Sequence, residues 1–174
     1  ARVEERKGHL FILNALPEIK EKFPNVLYLI AGKGPYLENI KKITKEMNLE
    51  TNVKFLGWIT EPEKSLILKL SDLFVMTPTT VGESVEGFGM AYIDASFHGV
   101  ASIGSDSGGV SDAILDNETG IICESGNQKM ITEKILLLLE NKNLRESMGA
   151  KGKLRANESY AWDKKVIEYL DASK

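Results

Sequence analysis

The chain has 174 residues, 43% of them hydrophobic and 27% charged, with one cysteine, and its 22 basic and 25 acidic side chains leave a formal net charge of −3. That length and apolar content suit one globular unit able to bury a core, and the acidic balance argues against nucleic acid as the main partner. A lone Cys123 cannot close an internal disulfide, no signal-peptide pattern opens the chain, and the longest apolar run, Ile135 to Leu139, falls far short of the roughly 18 residues of a bilayer span, so the expectation is a soluble, cytoplasmic protein.

Residues Ala1 to Gly8 form a charged opening, which composition alone reads as a solvated loop before a helix. From His9 to Phe23 the residues Ile12, Leu16, Ile19 and Phe23 recur at helical spacing, with Pro17 either kinking that helix or setting its start. His9 itself reads as a surface residue at the helix start. Val26 to Ile30 is a buried strand that runs into Gly32-Lys33-Gly34-Pro35. The third glycine of a dinucleotide fingerprint would fall at Leu37, and a Walker-type loop is missing too, so this turn carries neither signal. A helix over Tyr36 to Met47, a strand over Val53 to Gly57, an amphipathic helix over Glu63 to Leu70 and a strand over Leu73 to Met76 follow. The loop Gly57-Trp58-Ile59-Thr60 then stands at a carboxyl end of the sheet, where open α/β sheets bind ligands.

Thr77-Pro78 ends the Leu73 to Met76 strand, and a polar loop leads to Val85 before a helical pattern from Phe88 to Phe97. Glu86-Gly87-Phe88-Gly89 therefore occupies a strand-to-helix junction. Glycines there admit a ligand to bare backbone N–H groups, and the helix N-terminus favours an anion such as phosphate. Glu86 can accept hydrogen bonds from hydroxyls, and Asp94, about two turns along the helix, reaches a different part of an extended ligand. Hydroxyls, then phosphate, then hydroxyls again is the form of a nucleotide sugar.

Beyond this motif, Phe97-His98-Gly99 ends the helix, with His98 as a cap, and Val100 to Ile103 is the next strand. A Gly104 to Val110 loop and an Asp116 to Gly120 turn precede Gly120-Ile121-Ile122-Cys123, a strand carrying a buried thiol. Ile131, Ile135 and Leu138 share one helical face, Leu144 and Met148 form the next seam, and Tyr160 to Leu170 make a last helix with Trp162. Strand and helix alternate without repeats or low-complexity linkers, which argues for a parallel α/β sheet covered by helices.

Taken together, these motifs resemble the retaining glycosyltransferases of family 4, which have the GT-B architecture of two Rossmann-like domains facing a cleft. Glu86 and Asp94 resemble the family's Glu-x7-Glu signature, with aspartate as the second acid. Ala1-Arg2 and Lys7-Gly8 resemble its Gly-Arg…Lys-Gly segment, Gly32-Lys33-Gly34-Pro35 its Gly-x-Gly-Pro turn, Val53 to Gly57 its Val-x-Phe-x-Gly strand, and Gly108-Gly109 its glycine loop near the donor. Ala1 stands where the family has glycine, Ala101 where it has proline and Asp112 where it often has glutamate.

The resemblance implies that Arg2 and Lys7 clamp the donor diphosphate, that Glu86 contacts the transferred sugar with Gly87, Phe88 and Gly89 near its phosphate, and that Asp94 holds the ribose. Gly34, Gly57 and Trp58 would lie on the nucleotide side. Trp58 either walls the base or packs half-buried, Lys33 either faces the ligand or water, and Arg6 is left as the surface residue of its segment. Neither a metal nor a cofactor beyond the nucleoside-diphosphate sugar is expected. In the family a central strand precedes the Gly-Arg segment, so the expectation here is a Rossmann-like donor domain over residues 1–174 that lacks its first strand, has a gap or an exposed edge between its second and fourth strands, and is a fragment of a two-domain enzyme.

The implied function is transfer of a sugar from a nucleoside diphosphate to a lipid-linked, glycan or polysaccharide acceptor. Acceptor contacts would come from an N-terminal domain, through which peripheral membrane association stays open, and the isolated chain would bind donor without turnover. The alternatives are a non-catalytic nucleotide-sugar-binding or interaction module and an epimerase on the same fold. A phosphorylase would need a pyridoxal phosphate lysine site, which the sequence does not show.

Overall fold

The computed structural model describes residues 1–82, 84–161 and 166. A short 3-10 turn over Glu5–Lys7 leads into α1 (His9–Lys22), β1 (Tyr28–Ala31), α2 (Leu37–Glu46), β2 (Val53–Gly57), α3 (Glu61–Leu70), β3 (Phe74–Val75), α4 (Met90–Phe97), β4 (Ser102–Ser105), α5 (Val110–Ala113), β5 (Gly120–Cys123), α6 (Gln128–Glu140) and α7 (Lys142–Ser159). The strands are parallel and flanked by helices. Local chemistry sets several helix starts. Thr60 and Glu63 form a reciprocal capping box at α3, with Pro62 in the first turn, and Asn127 and Asn141 accept from Met130 N and Leu144 N at the starts of α6 and α7. Pro17 does not mark the start of α1; it lies inside the helix, where it has no N–H to give the Leu13 carbonyl, and packing on both sides carries the helix past it.

The sheet is in two pieces. β1 pairs with β2 from Tyr28↔Val53 onward, and β3, β4 and β5 pair in that order, but β1 and β3 are not hydrogen-bonded to each other. Between their edges lies a cavity of about 690 Å³, lined among others by His9, Tyr28, Ile30, Phe74, Met76 and Ile135. What joins the two pieces is α1. Its Leu13 and Leu16 pack with Val3, Ile30, Ile40, Leu49 and Val53, while Ala15 and Ile19 pack with Ala101, Ile103, Ile121, Ile131 and Ile135. Each large side chain so buried contributes roughly 1.5–3 kcal/mol.

Two expectations shift. β4 begins later than the apolar run Val100 to Ile103 suggests: Val100 N instead donates to Ala95 O at the end of α4, and the strand continues through the fully buried Ser105, whose hydroxyl donates to the Pro78 carbonyl. His9 is not a surface residue. Its Nδ1 lies 2.7 Å from the Tyr28 hydroxyl, its Nε2 is buried without a partner among the described residues, and burial, reinforced by the nearby Lys7, lowers the imidazole to about 4. Cys123 is a buried free thiol, pushed up to about 11 by burial. The expected last helix, with Trp162, lies mostly outside the described residues; Tyr160 caps α7. Among the described residues no helix is long and apolar enough to cross a membrane.

Candidate functional site

The loop after β3 and the 3-10 turn before α1 lie against each other because glycine permits it. Gly8 has φ 77°, and a Cβ there would stand 2.0 Å from the Thr77 carbonyl oxygen. Thr79 N then donates to Arg6 O at 2.8 Å. From the other side the loop before α5 closes on the same segment: Gly109 N donates to Glu86 O at 3.0 Å, and a Cβ on Gly108 or Gly109 would come within 2.0 Å of the Glu86 or Gly87 carbonyl oxygen. Gly87 differs. It is exposed, and a Cβ on it would meet nothing within 4 Å. No packing reason keeps it bare.

This arrangement brings Lys7 and Glu86 together. Lys7 Nζ lies 2.5 Å from Glu86 Oε2, with each side chain 10% exposed. Arg6 joins them: its NH1 is 2.9 Å from the same oxygen and its Nε 3.0 Å from Glu4 Oε2. Glu4 Oε1 in turn takes Arg2 NH1 at 3.1 Å. The row Arg2, Glu4, Arg6, Glu86, Lys7 thus holds three cations against two acids, an excess of one positive charge. Beside it begins α4, whose N-cap Gly89 sits at φ 82° with no side-chain cap, leaving the first N–H groups of the helix for an incoming acceptor. Phe88 turns inward, its ring 5.6 Å from that of Tyr160.

The Arg6 expectation is corrected: the side chain is only 19% exposed and sits on Glu86, whereas Arg2 is 76% exposed and reaches no further than Glu4. The physical reason is the 3-10 turn, which places Arg6 and Lys7 one after the other against the same carboxylate. The sequence signal was the adjacency of two cations before Gly8; their target, Glu86, comes from the tertiary fold.

Asp94 stands apart from this cluster. Its Oδ2 is 2.9 Å from Lys64 Nζ, which also meets Glu61 Oε2 at 2.8 Å. Lys64 escaped the sequence reading because only its helical neighbour Glu61 is visible there. One turn on, His98 Nδ1 donates to Asp94 O at 2.7 Å, and its Nε2 lies 2.8 Å from the Ser65 hydroxyl, so α3 and α4 are tied along this seam. Gly34 is taken up by the fold itself, since a Cβ there would stand 2.2 Å from the Val3 carbonyl oxygen, while Lys33 is exposed. Gly57, at φ 66°, has open space on its Cα face. Trp58 is 77% exposed, which rules out half-buried packing as its reason. Among the described residues no group of three His, Cys, Asp or Glu is placed to hold a metal ion.

Residues 1–155 match the family model described as Glycosyl transferases group 1. Over 173 residues the chain is 29% identical to the GDP-mannose-dependent alpha-(1-6)-phosphatidylinositol monomannoside mannosyltransferase of Mycobacterium tuberculosis (strain CDC 1551 / Oshkosh), a match covering 98% of this chain and 45% of that protein. The protein of the same description from Mycolicibacterium smegmatis is 30% identical over 164 residues, covering 93% of this chain and 43% of its own length. The chain therefore spans less than half the length of these relatives. Among solved structures, a mutant of S. aureus TarM in complex with UDP, alpha-GlcNAc-glycerol and Fondaparinux superposes with a TM-score of 0.85 at 26% identity, covering 98% of this chain and 34% of that one. Anabaena HepE, in complex with UDP and glucose, shares the fold with a TM-score of 0.83 at 17% identity, covering 99% and 47%.

Proposed function

The chain belongs to the glycosyl transferases group 1, and on that premise we propose that it is the half of a two-domain enzyme that holds a nucleoside-diphosphate sugar, for transfer of the sugar to a lipid-linked, glycan or polysaccharide acceptor. The observation that carries this reading is the burial of Lys7 against Glu86 beside the uncapped start of α4, in a row with one positive charge in excess. A diphosphate satisfies each part of it. Its oxygens take the free N–H groups of α4 and the cations Lys7 and Arg2, and Gly87 lets the phosphate approach the backbone.

In transfer, the bond between the anomeric carbon and the diphosphate breaks, the diphosphate leaving with the bonding electrons, and a new glycosidic bond forms to an acceptor hydroxyl, whose proton passes to a diphosphate oxygen. Negative charge grows on the departing diphosphate, and Lys7 and Arg2 are the groups that stabilise it. Glu86 receives the sugar hydroxyls. Asp94, held by Lys64, takes the ribose, and the exposed Trp58 offers a wall for the base. The mycobacterial relatives are named for GDP-mannose, which makes it the first donor to test, with UDP-glucose second.

The test is transfer by the longer protein carrying the Glu86→Ala change. Rates should fall by about a hundredfold or more with folding preserved in circular dichroism, the scale set by losing one group that acts in the transition state. Transfer at the unmodified rate rejects the reading.

A further inference from the structure

We infer that Arg6 is a positioning residue for the sugar end of this site, holding the Glu86 carboxylate in place when a bound diphosphate draws Lys7 away. The inference rests on the donor-site reading. Two cations converge on one oxygen, Oε2 of Glu86, and the other oxygen takes no hydrogen bond from a described residue. That second oxygen is free to accept a sugar hydroxyl, provided the carboxylate does not swing.

The two cations are held unequally. The Lys7 ammonium is a point charge on a flexible stem, with Glu86 as its ion-pair partner. The Arg6 guanidinium is pinned at its far side by Glu4 at 3.0 Å, and its backbone carbonyl is fixed by Thr79 N at 2.8 Å. An arriving diphosphate competes with Glu86 for both cations, and the ammonium moves more readily than a planar fork already anchored on a second acid. Once Lys7 has moved, Glu86 keeps a cation only through Arg6. Without Arg6 it would be a mostly buried carboxylate with no counter-ion, free to turn towards solvent or to follow Lys7, and a displacement of about 1 Å at such a group is enough to cost up to a hundredfold in a positioned reaction. Glu4 then has a role as well: it anchors Arg6 with one oxygen and tethers Arg2 with the other.

The readout is the contribution of the sugar, taken as the ratio of calorimetric affinities for GDP-mannose and GDP, with UDP-glucose and UDP as a second pair. Arg6→Ala should lower that ratio roughly tenfold, the size of one lost charge-assisted hydrogen bond, and Arg6→Lys should restore only part of it, because a single ammonium cannot span Glu4 and Glu86 as the fork does. Glu86→Gln should collapse the ratio on its own, and adding Arg6→Ala to it should change little further, because both act through one group. Arg6→Gln, which removes the charge but keeps part of the stem and a polar end, replaces Arg6→Ala if unfolding curves show that the alanine variant is not folded. An unchanged ratio in the folded Arg6 variants, or full additivity with Glu86→Gln, overturns the inference and leaves the donor site standing. A ratio insensitive to Glu86→Gln, or no binding of either pair by the unmodified chain, overturns the donor-site reading and the inference with it.

Discussion

Replacing Gly87 by alanine distinguishes a glycine that the fold requires from one that a ligand requires. Gly87 is exposed and is not among the residues in the left-handed region, and the added Cβ would meet nothing within 4 Å. The folded chain therefore has no reason to resist the change. The unfolding free energy should stay within about 0.5 kcal/mol, or rise by up to about 1 kcal/mol because alanine narrows the unfolded ensemble. A phosphate approaching the backbone at this point does have a reason. Its oxygens would need to lie near 2.9 Å from an N–H, and the methyl group would stand in their path. A displacement of about 1 Å predicts a loss of donor affinity of roughly ten- to a hundredfold. Urea unfolding and calorimetric titration with GDP, UDP and ADP on the same preparation read both quantities. Unchanged stability with affinity held within about twofold would show that no ligand approaches here and refute the reasoning.

Gly109→Ala should behave in the opposite way. Its φ of −84° suits alanine, but the Cβ would fall 2.0 Å from the Gly87 carbonyl oxygen, a backbone atom, so the chain must shift and stability should drop by about 1–3 kcal/mol along with donor affinity; undiminished stability in urea would contradict this. His9 supplies a pH dependence. Burial, with Lys7 nearby, holds its imidazole at about 4 in the folded chain, against about 6.5 unfolded, so the unfolded state binds more protons between those values. The stabilisation is full above about pH 6.5 and is lost as pH falls towards 4, amounting to about 2 kcal/mol between pH 7 and pH 5. His9→Asn should remove that slope, and an identical slope in the variant, measured by urea unfolding at both pH values, would show that another group causes it.

How much of this could be read from the residues depended on how local the cause was. β2 runs from Val53 to Gly57 as expected, since an apolar pattern closed by glycine marks both ends, and α3 begins close to its expected place because Thr60, Pro62 and Glu63 announce a helix start. β4 was displaced because its last residue, Ser105, is buried through a bond to the Pro78 carbonyl that no hydropathy pattern records. The four-residue α5 is too short to leave a period. At the site, the glycines and acids at the start of α4 were visible as types. Which cation meets which acid was not, because Arg6 and Lys7 find Glu86, and Lys64 finds Asp94, only through the packing of separate segments. The break between the β1-β2 and β3-β4-β5 pieces leaves no mark in the residues of either edge strand.

The central claim is that the Lys7 and Glu86 cluster is a diphosphate site, and calorimetric titration of this chain with GDP, UDP and ADP, with and without Lys7→Ala, tests it most directly. The account predicts that at least one diphosphate binds the unmodified chain and that Lys7→Ala weakens it by roughly tenfold or more, the worth of one charge-assisted contact. A folded chain, verified by circular dichroism, that binds none of the three, or binds one equally well without Lys7, would contradict it.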